Sequence, residues 1–304
     1  MTEIPAGFLN EEIRCDYTVS AHMKKVWAIQ MDLLNELDRV CTKYGIRYYA
    51  NFGTLIGAVR HKGYIPWDDD IDVVMFREDY QKLAEVASEE FSHPYFLQDA
   101  YTDGFLRGFA RLRNSGTAAL TERYLDRDIN QGIFIDIFFI DNVPDQPLVR
   151  KLWMAETRFA RQLTNAVFFD NPTQTISIQK KVALKVMKTF YTTETLAKAF
   201  DRLCSRYNRK KTECVGCVAF APGSEKYIWK REWFEKSHYV PYEYMQINIP
   251  DGYDLLLTHI YKDYMVMKKN PTSHGTVLFV TDTSYRDYMR QHPVEEIRKM
   301  ISEL

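Results

Sequence analysis

The sequence lacks the features that mark a membrane protein, a secreted protein or a general nucleic-acid-binding protein. No stretch approaches the roughly 18 apolar residues of a membrane-spanning helix. The beginning, MTEIPAGFLNEE, has no basic region followed by an apolar run. Lysine and arginine total 40 against 41 acidic residues, so there is no excess of positive charge to bind a polymer of phosphates. We therefore expect a cytoplasmic protein that does not bind nucleic acid.

Cysteine is also scarce. The chain has 5 cysteines in 304 residues, an odd and sparse set that is typical of reduced thiols. Cys214 and Cys217 have the spacing of a zinc-binding pair, and Cys204 could supply a third ligand. Because a structural zinc site needs four ligands, packing in a strand or turn is the favoured interpretation of this pair.

The chain does contain a large apolar fraction. Hydrophobic residues make up 46% of the sequence and aromatic residues 14%. A chain of this length and composition can bury a core large enough for one elaborated domain or for two. We find no internal repeat and no low-complexity segment.

The most informative segment is 52–75, FGTLIGAVRHKGYIPWDDDIDVVM. Asp68, Asp69, Asp70 and Asp72 fall within five positions and would repel one another if they converged without a counter-ion, for which a divalent cation is the usual choice. Side chains alternate along the β-strand that begins here, so Asp70 and Asp72 point to one face. This spacing predicts a two-metal site for phosphoryl transfer.

The acidic run has two other interpretations. Such runs are commonly solvated turns or helix caps, and this alternative stays open for the cluster taken alone. A calcium-binding loop is disfavoured, because it would need glycine where Val73 stands and glutamate where Asp79 stands.

Residues upstream of the acidic run could bind an anion. Gly53 and Thr54 follow a short extended stretch and open a predicted helix, an arrangement in which backbone N–H groups receive phosphate oxygens. Arg60, His61 and Lys62 then place positive charge between the turn and the acids. A metal-bound diphosphate would thus be held from both sides.

The order of these residues resembles a known family. Gly-Thr, then Gly-Ala-Val-Arg-His-Lys-Gly, then Ile-Pro-Trp-Asp-Asp-Asp-Ile-Asp give a nearly continuous match over 53–75 to the LicD family of phosphotransferases. Relatives of this family include fukutin-type enzymes, within the nucleotidyltransferase superfamily typified by DNA polymerase beta. The resemblance implies an α/β fold with a nucleotidyltransferase-like, polymerase-beta-type mixed sheet core.

Two further segments are similar to the same family. Segment 131–138, QGIFIDIF, is similar to its second acidic strand, and 261–265 followed by Pro271 and His274 is similar to its carboxy-terminal signature. The family more often has glycine where Lys262 stands and Pro-Pro where 269–271 falls. These departures do not touch the predicted metal centre.

Asp136 has a physical argument of its own. It shares a strand face with Phe134 and Phe138, where an ionised carboxylate is costly unless a cation or several donors satisfy it. The resemblance implies that Asp136 is the third catalytic carboxylate, which ligates a metal or accepts a proton from the attacking hydroxyl. The alternative is a strand-end aspartate bonded to backbone amides. We interpret Asp141 and Asn142 as the turn that ends this strand.

Further substrate-binding residues come from the segment Arg-Leu-Arg-Asn-Ser-Gly-Thr and from the carboxy-terminal signature. Arg111 and Arg113 alternate along a predicted strand, so both could face the cleft, and the resemblance supports a substrate role for them and for Thr117. The alternative for the arginines is ordinary surface charge. For His274 only the resemblance indicates a role in binding substrate.

The hydrophobic periodicity predicts helices and strands in alternation up to residue 146 and mainly helices after it. Predicted helices cover 20–44, 53–60, 77–91, 148–168, 176–191, 193–207 and 253–264. Predicted strands or extended segments cover 46–50, 70–76, 95–98, 108–113, 133–140, 215–220, 233–234 and 247–250. We therefore divide the chain into a catalytic core (1–146), a helical insertion or subdomain (147–212) and carboxy-terminal segments that pack back on the core (213–304).

The predicted helix 176–191 carries apolar residues on one stripe and lysines on the other side. Such a helix can rest on anionic lipid head groups, which would give a peripheral contact with the inner face of the membrane. The commoner explanation is an ordinary helix packed on the core.

The resemblance implies a transferase that cleaves a CDP-alcohol donor, with CDP-choline favoured, and passes the phospho-alcohol to a hydroxyl of a glycan or lipid-linked glycan. The acceptor would be a precursor of teichoic acid, lipopolysaccharide or capsule. Asp70, Asp72 and Asp136 would hold Mg²⁺ or Mn²⁺. Two alternatives stay open, namely a nucleotidyltransferase that uses a nucleoside triphosphate and a non-catalytic adaptor that binds a nucleotide or glycan.

Overall fold

The computed structural model describes residues 3–105, 107–168, 192–268 and 276–304. Its strands are β1 (Glu12–Arg14), β2 (Tyr17–Val19), β3 (Tyr49–Ala50), β4 (Asp72–Phe76), β5 (Tyr95–Gln98), β6 (Ala110–Asn114), β7 (Ala118–Leu120), β8 (Ile133–Val143), β9 (Cys214–Gly216), β10 (Ile228–Lys230), β11 (Ser237–Tyr242), β12 (Met245–Pro250) and β13 (Leu278–Val280). Its α-helices are α1 (Ala21–Tyr44), α2 (Phe52–Ile56), α3 (Arg77–Glu90), α4 (Pro147–Phe168), α5 (Thr193–Cys204), α6 (Tyr253–Tyr261), α7 (Tyr285–Gln291) and α8 (Val294–Glu303). The predicted α/β class is confirmed.

Helix α1 begins and ends where the sequence predicts. The hydroxyl of Ser20 accepts a hydrogen bond from the Met23 N–H at 3.1 Å, and Gly45 adopts the left-handed conformation of a C-cap, with φ of 64°. The apolar stripe of the helix faces the core. Its buried members include Val26, Trp27, Leu33, Leu34, Leu37, Val40 and Cys41.

The chain divides into two compact units. One consists of Met1–Gln98, Arg111–Ile137 and Trp233–Leu304, and the other of Asp99–Ala110 and Phe138–Glu232. The three-part division 1–146, 147–212 and 213–304 stays a prediction. Among the described residues, no helix combines the length and apolar composition needed to cross a membrane.

The first unit contains the centre of the sheet. Strand β4 lies between β3 and β8, and β6 pairs with both β8 and β5. The β3–β4 pair is antiparallel, with Ala50 opposite Val73. Strands β11 and β12 form an antiparallel hairpin, and β7 pairs with β13. Helices α7 and α8 pack on β7 through a cluster that includes Leu120, Tyr285 and Ile297.

The second unit has its own apolar core. The last residues of β8 pair with β9, which pairs with β10. Trp153 of α4 and Phe200 of α5 lie in a buried cluster with Cys204 and Val218, and the Trp153 indole N–H donates to the Leu203 carbonyl at 2.9 Å. This bond satisfies the polar atom of a buried indole.

Several predicted boundaries are wrong. Asp141 and Asn142 do not form a turn, because they continue β8 and pair with Gly216 and Val215. A buried strand tolerates these polar residues because their side chains are bonded: the Asn208 amide donates to Asp141 at 2.7 Å, and Arg231 donates to Asn142.

The other differences are local. Residues 233–234 lie in a short 3₁₀ turn (Arg231–Phe234) and not in a strand, and β3 is shorter than the predicted strand 46–50. After α2 the chain widens into a π-type turn, Gly57–His61. The predicted helix 176–191, with its basic side, lies outside the described residues.

Candidate functional site

The structure brings the three predicted acids together. Carboxylate oxygens of Asp70, Asp72 and Asp136 lie within 4.8 Å of one another. Strand pairing accounts for this arrangement, since the Asp136 N–H donates to the Ile71 carbonyl at 2.9 Å and so sets β8 beside the start of β4. Asp136 is fully buried, and Asp70 and Asp72 are only 6% and 9% exposed. A divalent cation could therefore be shared by residues that are distant in the sequence.

The backbone of Asp72 is held by the turn that precedes α2. The Asp72 N–H donates to the Thr54 hydroxyl at 2.8 Å, and the Asn51 N–H donates to the Asp72 carbonyl at 3.1 Å. Thr54 is buried. The observed contact of Thr54 therefore positions an acid, while its predicted contact with phosphate stays a prediction.

The pKa of Asp72 is strongly perturbed in this site. Burial, followed by the charges of Asp70, Asp136 and Asp68, raises the pKa of Asp72 well above its usual value, and Arg111 opposes this shift. Its Oδ1 atom is buried and has no hydrogen-bond partner in the described part of the chain. A buried carboxylate oxygen left unsatisfied beside two other carboxylates fits a hard divalent cation, which prefers oxygen ligands.

Asp136 also has a protein partner. The Arg111 guanidinium donates to its two oxygens at 2.5 and 3.3 Å, and the Arg111 Cζ lies 3.5 Å from the centre of the Phe134 ring. Arg111 thus offsets part of the negative charge of the cluster. A direct contact between Arg111 and substrate stays a prediction.

Gly53 lies against the acidic run. A Cβ atom built on Gly53 would stand 2.5 Å from Oδ2 of Asp68, closer than van der Waals contact permits. The backbone of the acidic run is fixed by α1, since Trp27 donates to the Asp68 carbonyl at 3.0 Å and Gln30 to the Asp69 carbonyl at 2.7 Å. The backbone of Asp68 is thus fixed, so a Cβ atom at position 53 would require the Asp68 side chain itself to move.

We expect Gly53→Ala to destabilise the protein by about 1–3 kcal/mol, the usual cost of overpacking a constrained position. Urea unfolding measures this change. In an Asp68→Ala background the same substitution should cost much less, because the clashing carboxylate is gone. Equal costs in the two backgrounds would contradict the steric explanation.

Two of the three basic residues after α2, Arg60 and His61, have side-chain partners in the protein. Arg60 donates to the Tyr264 carbonyl at 2.6 Å and to His61 Nε2 at 2.9 Å. Burial, followed by the charges of Arg60 and Arg14, lowers the pKa of His61. Lys62 is left-handed, with φ of 56°. The hydrogen bond from Arg60 to Tyr264 joins segment 52–75 to the carboxy-terminal segment. The substrate roles of all three basic residues stay predictions.

Arg113 and Thr117 lie in the interior. Arg113 is 1% exposed, donates to the Gly132 carbonyl at 2.6 Å and donates to Gln98. The Thr117 hydroxyl donates to the Asn114 carbonyl at 2.7 Å and accepts from the Ile133 N–H. Both residues thus have structural contacts, and their substrate roles stay predictions. His274 lies outside the described residues.

Sequence reasoning missed residues of the β11–β12 hairpin. The Tyr242 ring lies 5.2 Å from that of Tyr64, and its hydroxyl is buried without a hydrogen-bond partner among the described residues. Burial and the charges of nearby acids, Asp68 first among them, raise the pKa of Tyr242. Glu243 accepts hydrogen bonds from Arg14 and from the Tyr64 N–H. No local motif marks these residues, because only the fold brings them to the site.

The sequence is similar to known proteins over the segments that carry the three acids. The family profile described as LicD/FKTN/FKRP, nucleotidyltransferase domain, matches residues 45–183, which include the three acids. Over 243 residues the chain is 29% identical to the lipopolysaccharide cholinephosphotransferase LicD of Haemophilus influenzae, an alignment that covers 77% of this chain and 88% of that protein. The chain is therefore similar to the LicD family, and this similarity supports a phosphotransferase.

Two other relatives match shorter parts of the chain. The uncharacterized protein RP689 of Rickettsia prowazekii is 31% identical over 113 residues, which are 37% of this chain and 39% of that protein. The human ribitol 5-phosphate transferase FKRP is 39% identical over 46 residues, which are 15% of this chain and 9% of that protein.

Proposed function

We propose that the protein is a metal-dependent phosphotransferase that moves phosphocholine from CDP-choline to a hydroxyl of a cell-surface glycan. The observation that carries this proposal is the convergence of Asp70, Asp72 and Asp136 around an unsatisfied buried oxygen. The choice of phosphocholine is supported by the similarity to a lipopolysaccharide cholinephosphotransferase. The core would be nucleotidyltransferase-like, and the reaction would take place in the cytoplasm at the inner face of the membrane.

Asp70, Asp72 and Asp136 are the residues that would hold Mg²⁺ or Mn²⁺. When bound, such a cation neutralises the charge of the diphosphate and of the phosphoryl group in transfer. Without it, three buried carboxylates would repel an anionic substrate. Arg111 keeps the carboxylate of Asp136 in place through its two hydrogen bonds.

The transfer needs no covalent intermediate with the protein. The acceptor oxygen forms a bond to the phosphorus that carries choline, the bond from that phosphorus to the bridging oxygen breaks, and CMP leaves with the electron pair. The acceptor hydroxyl releases its proton to the solvent, which balances the reaction. The protein contributes position and charge: Thr54 and Asn51 fix the backbone of Asp72, and Gly53 leaves room for Asp68.

Product analysis tests the proposal. We expect the purified protein with Mg²⁺ or Mn²⁺ to release CMP from CDP-choline in the presence of a glycan acceptor, and to release no pyrophosphate from nucleoside triphosphates. Mass spectrometry separates these products. Pyrophosphate release would instead support the nucleotidyltransferase, which attacks the alpha phosphorus of a triphosphate.

A thermal-shift screen identifies the donor independently of the acceptor. CDP-choline, CDP-ribitol, CDP-glycerol and nucleoside triphosphates are compared with and without Mg²⁺, because a ligand that binds only the folded state raises the melting temperature. We expect the largest shift with CDP-choline and only when the cation is present. A shift that does not depend on the cation, with no turnover, would support the non-catalytic adaptor.

A further inference from the structure

Asn51, the residue between β3 and α2, lies beside the acids and has an unused donor. Its backbone is extended, with φ of −145°, and its N–H donates to the Asp72 carbonyl at 3.1 Å. This bond continues the antiparallel register in which Ala50 stands opposite Val73. Residues directly opposite in an antiparallel pair project to the same face, so the side chain of Asn51 lies on the face of the sheet that carries the Asp72 carboxylate.

The orientation of the Asn51 amide is fixed by a hydrogen bond. Its Oδ1 accepts from the Phe52 N–H at 2.8 Å. The opposite orientation would set the NH₂ group against another N–H donor, so the network assigns the two atoms. The Nδ2 atom therefore lies on the side of the amide away from the Phe52 N–H, and its acceptor must lie on that side as well.

The described residues provide no such acceptor. Asn51 is fully buried, and its Nδ2 has no hydrogen-bond partner among the residues that the structure describes. Leaving a buried donor unsatisfied costs about 1–3 kcal/mol, and such groups are rare in folded proteins. Two unsatisfied atoms of opposite kind, the Asn51 Nδ2 donor and the Asp72 Oδ1 acceptor, thus belong to cross-strand neighbours in one site.

We propose that Asn51 is a substrate-binding residue whose Nδ2 donates a hydrogen bond to a phosphate oxygen of the donor diphosphate. This inference rests on the proposed function, since it takes the ligand at the three acids to be a cation-bound diphosphate. The cation would satisfy Asp72 Oδ1 and the diphosphate would satisfy Asn51 Nδ2. A single complex of cation and diphosphate would then satisfy both atoms.

An amide suits this position better than a lysine or an arginine would. A cationic side chain beside Asp70 and Asp72 would form ion pairs with them and compete with the divalent cation. The neutral amide has donors for a phosphate oxygen but adds no charge to the metal site. Removal of the Asn51 amide should therefore weaken the binding of the diphosphate without weakening the binding of the cation. The two affinities can be measured separately.

Binding measurements on two variants test the proposal. Asn51→Ser keeps a side-chain oxygen that can accept from the Phe52 N–H but removes the amide donor. Asn51→Asp keeps the shape of the side chain and replaces the donor by an oxygen. We expect both variants to bind CDP-choline about 10-fold to 100-fold more weakly than the wild type in saturating Mn²⁺, with the larger loss for Asn51→Asp. Calorimetric titration with Mn²⁺ alone should show no loss of affinity in either variant.

Inorganic pyrophosphate with Mn²⁺ separates this inference from the proposed function. If the wild type binds pyrophosphate but not CDP-choline, the proposed donor is wrong, while weaker binding of pyrophosphate by Asn51→Ser and Asn51→Asp still supports the assignment of Asn51. If both variants bind pyrophosphate and CDP-choline as the wild type does, Asn51 is only a cap and the inference fails. A loss of Mn²⁺ affinity equal to the loss of diphosphate affinity would overturn it as well, because Asn51 would then act through Asp72. Far-ultraviolet circular dichroism confirms that each variant is folded.

Discussion

Asp72→Asn is expected to raise the melting temperature of the protein when no divalent cation is present, and to lower transferase activity by about a hundredfold or more. Both effects have one cause. Burial and the charges of neighbouring acids disfavour the ionised form of Asp72, which raises its pKa in the folded protein. A neutral amide removes this repulsion, and it also removes an anionic ligand from the site. Differential scanning fluorimetry and product release measure the two effects.

The sign of the pH dependence follows from the raised pKa. In the unfolded chain the pKa of Asp72 is near 3.8, the ordinary value for an aspartate, whereas the folded protein holds the proton to a higher pH. The contribution of Asp72 to stability is therefore complete below the unfolded value and is lost as the pH rises through the folded value. The difference in melting temperature between Asp72→Asn and the wild type should be small near pH 4 and should grow as the pH rises.

Divalent cations should reverse the order of stability, so that the wild type becomes more stable than Asp72→Asn. Mg²⁺ or Mn²⁺ stabilises the wild type by binding the folded state, and this gain should be largely lost in Asp72→Asn. Asp282→Asn, which removes an exposed carboxylate, serves as the matched control and should behave as the wild type does. A variant that is less stable than the wild type without cations at pH 8 would argue against repulsion in the acidic cluster.

The sequence predicts those features of the site that depend on local periodicity. The alternation of side chains along the predicted strand 70–76 predicts that Asp70 and Asp72 share a face, and the carboxylates of both do lie in one cluster with Asp136. The hydrophobic periodicity predicts a helix over 20–44, which agrees to within one residue with α1, Ala21–Tyr44. Local physical chemistry is sufficient for features of this kind.

Other features depend on partners that are remote in the sequence. Arg111 and Arg113 alternate on β6, yet the first binds Asp136 and the second binds Gln98 and the Gly132 carbonyl. The register between β6 and its neighbours decides these partners, and no pattern within β6 encodes it. Tyr242 could not be found from the sequence for the same reason.

Polar residues inside a strand illustrate the same limit. Asp141 and Asn142 have the composition of a turn, so local rules predict that β8 ends there. The strand continues because Asn208 and Arg231, far along the chain, satisfy the two side chains. A buried polar residue is thus ambiguous until its partners are known.

Arg111→Met is expected to destabilise the protein by about 3–5 kcal/mol, the usual cost of removing one partner of a buried ion pair. Asp136 is fully buried, and Arg111 is its partner at 2.5 Å. Without the guanidinium, the uncompensated charge of Asp136 adds to that of Asp70 and Asp72. Urea unfolding without cations should show the loss, and Asp136→Asn introduced into Arg111→Met should recover a large part of it.

The same variant should respond more strongly to divalent cations than the wild type does. Mn²⁺ would neutralise the charge that Arg111 leaves behind, so the rise in melting temperature on adding Mn²⁺ should be larger in Arg111→Met. Arg111→Lys keeps the charge without the two parallel hydrogen bonds. Its rise in melting temperature on adding Mn²⁺ should lie between those of the wild type and Arg111→Met. If Mn²⁺ stabilises Arg111→Met and the wild type equally, Asp136 does not share the cation with Asp70 and Asp72. If only the affinity for CDP-choline falls while the stability is unchanged, Arg111 binds substrate and does not serve Asp136.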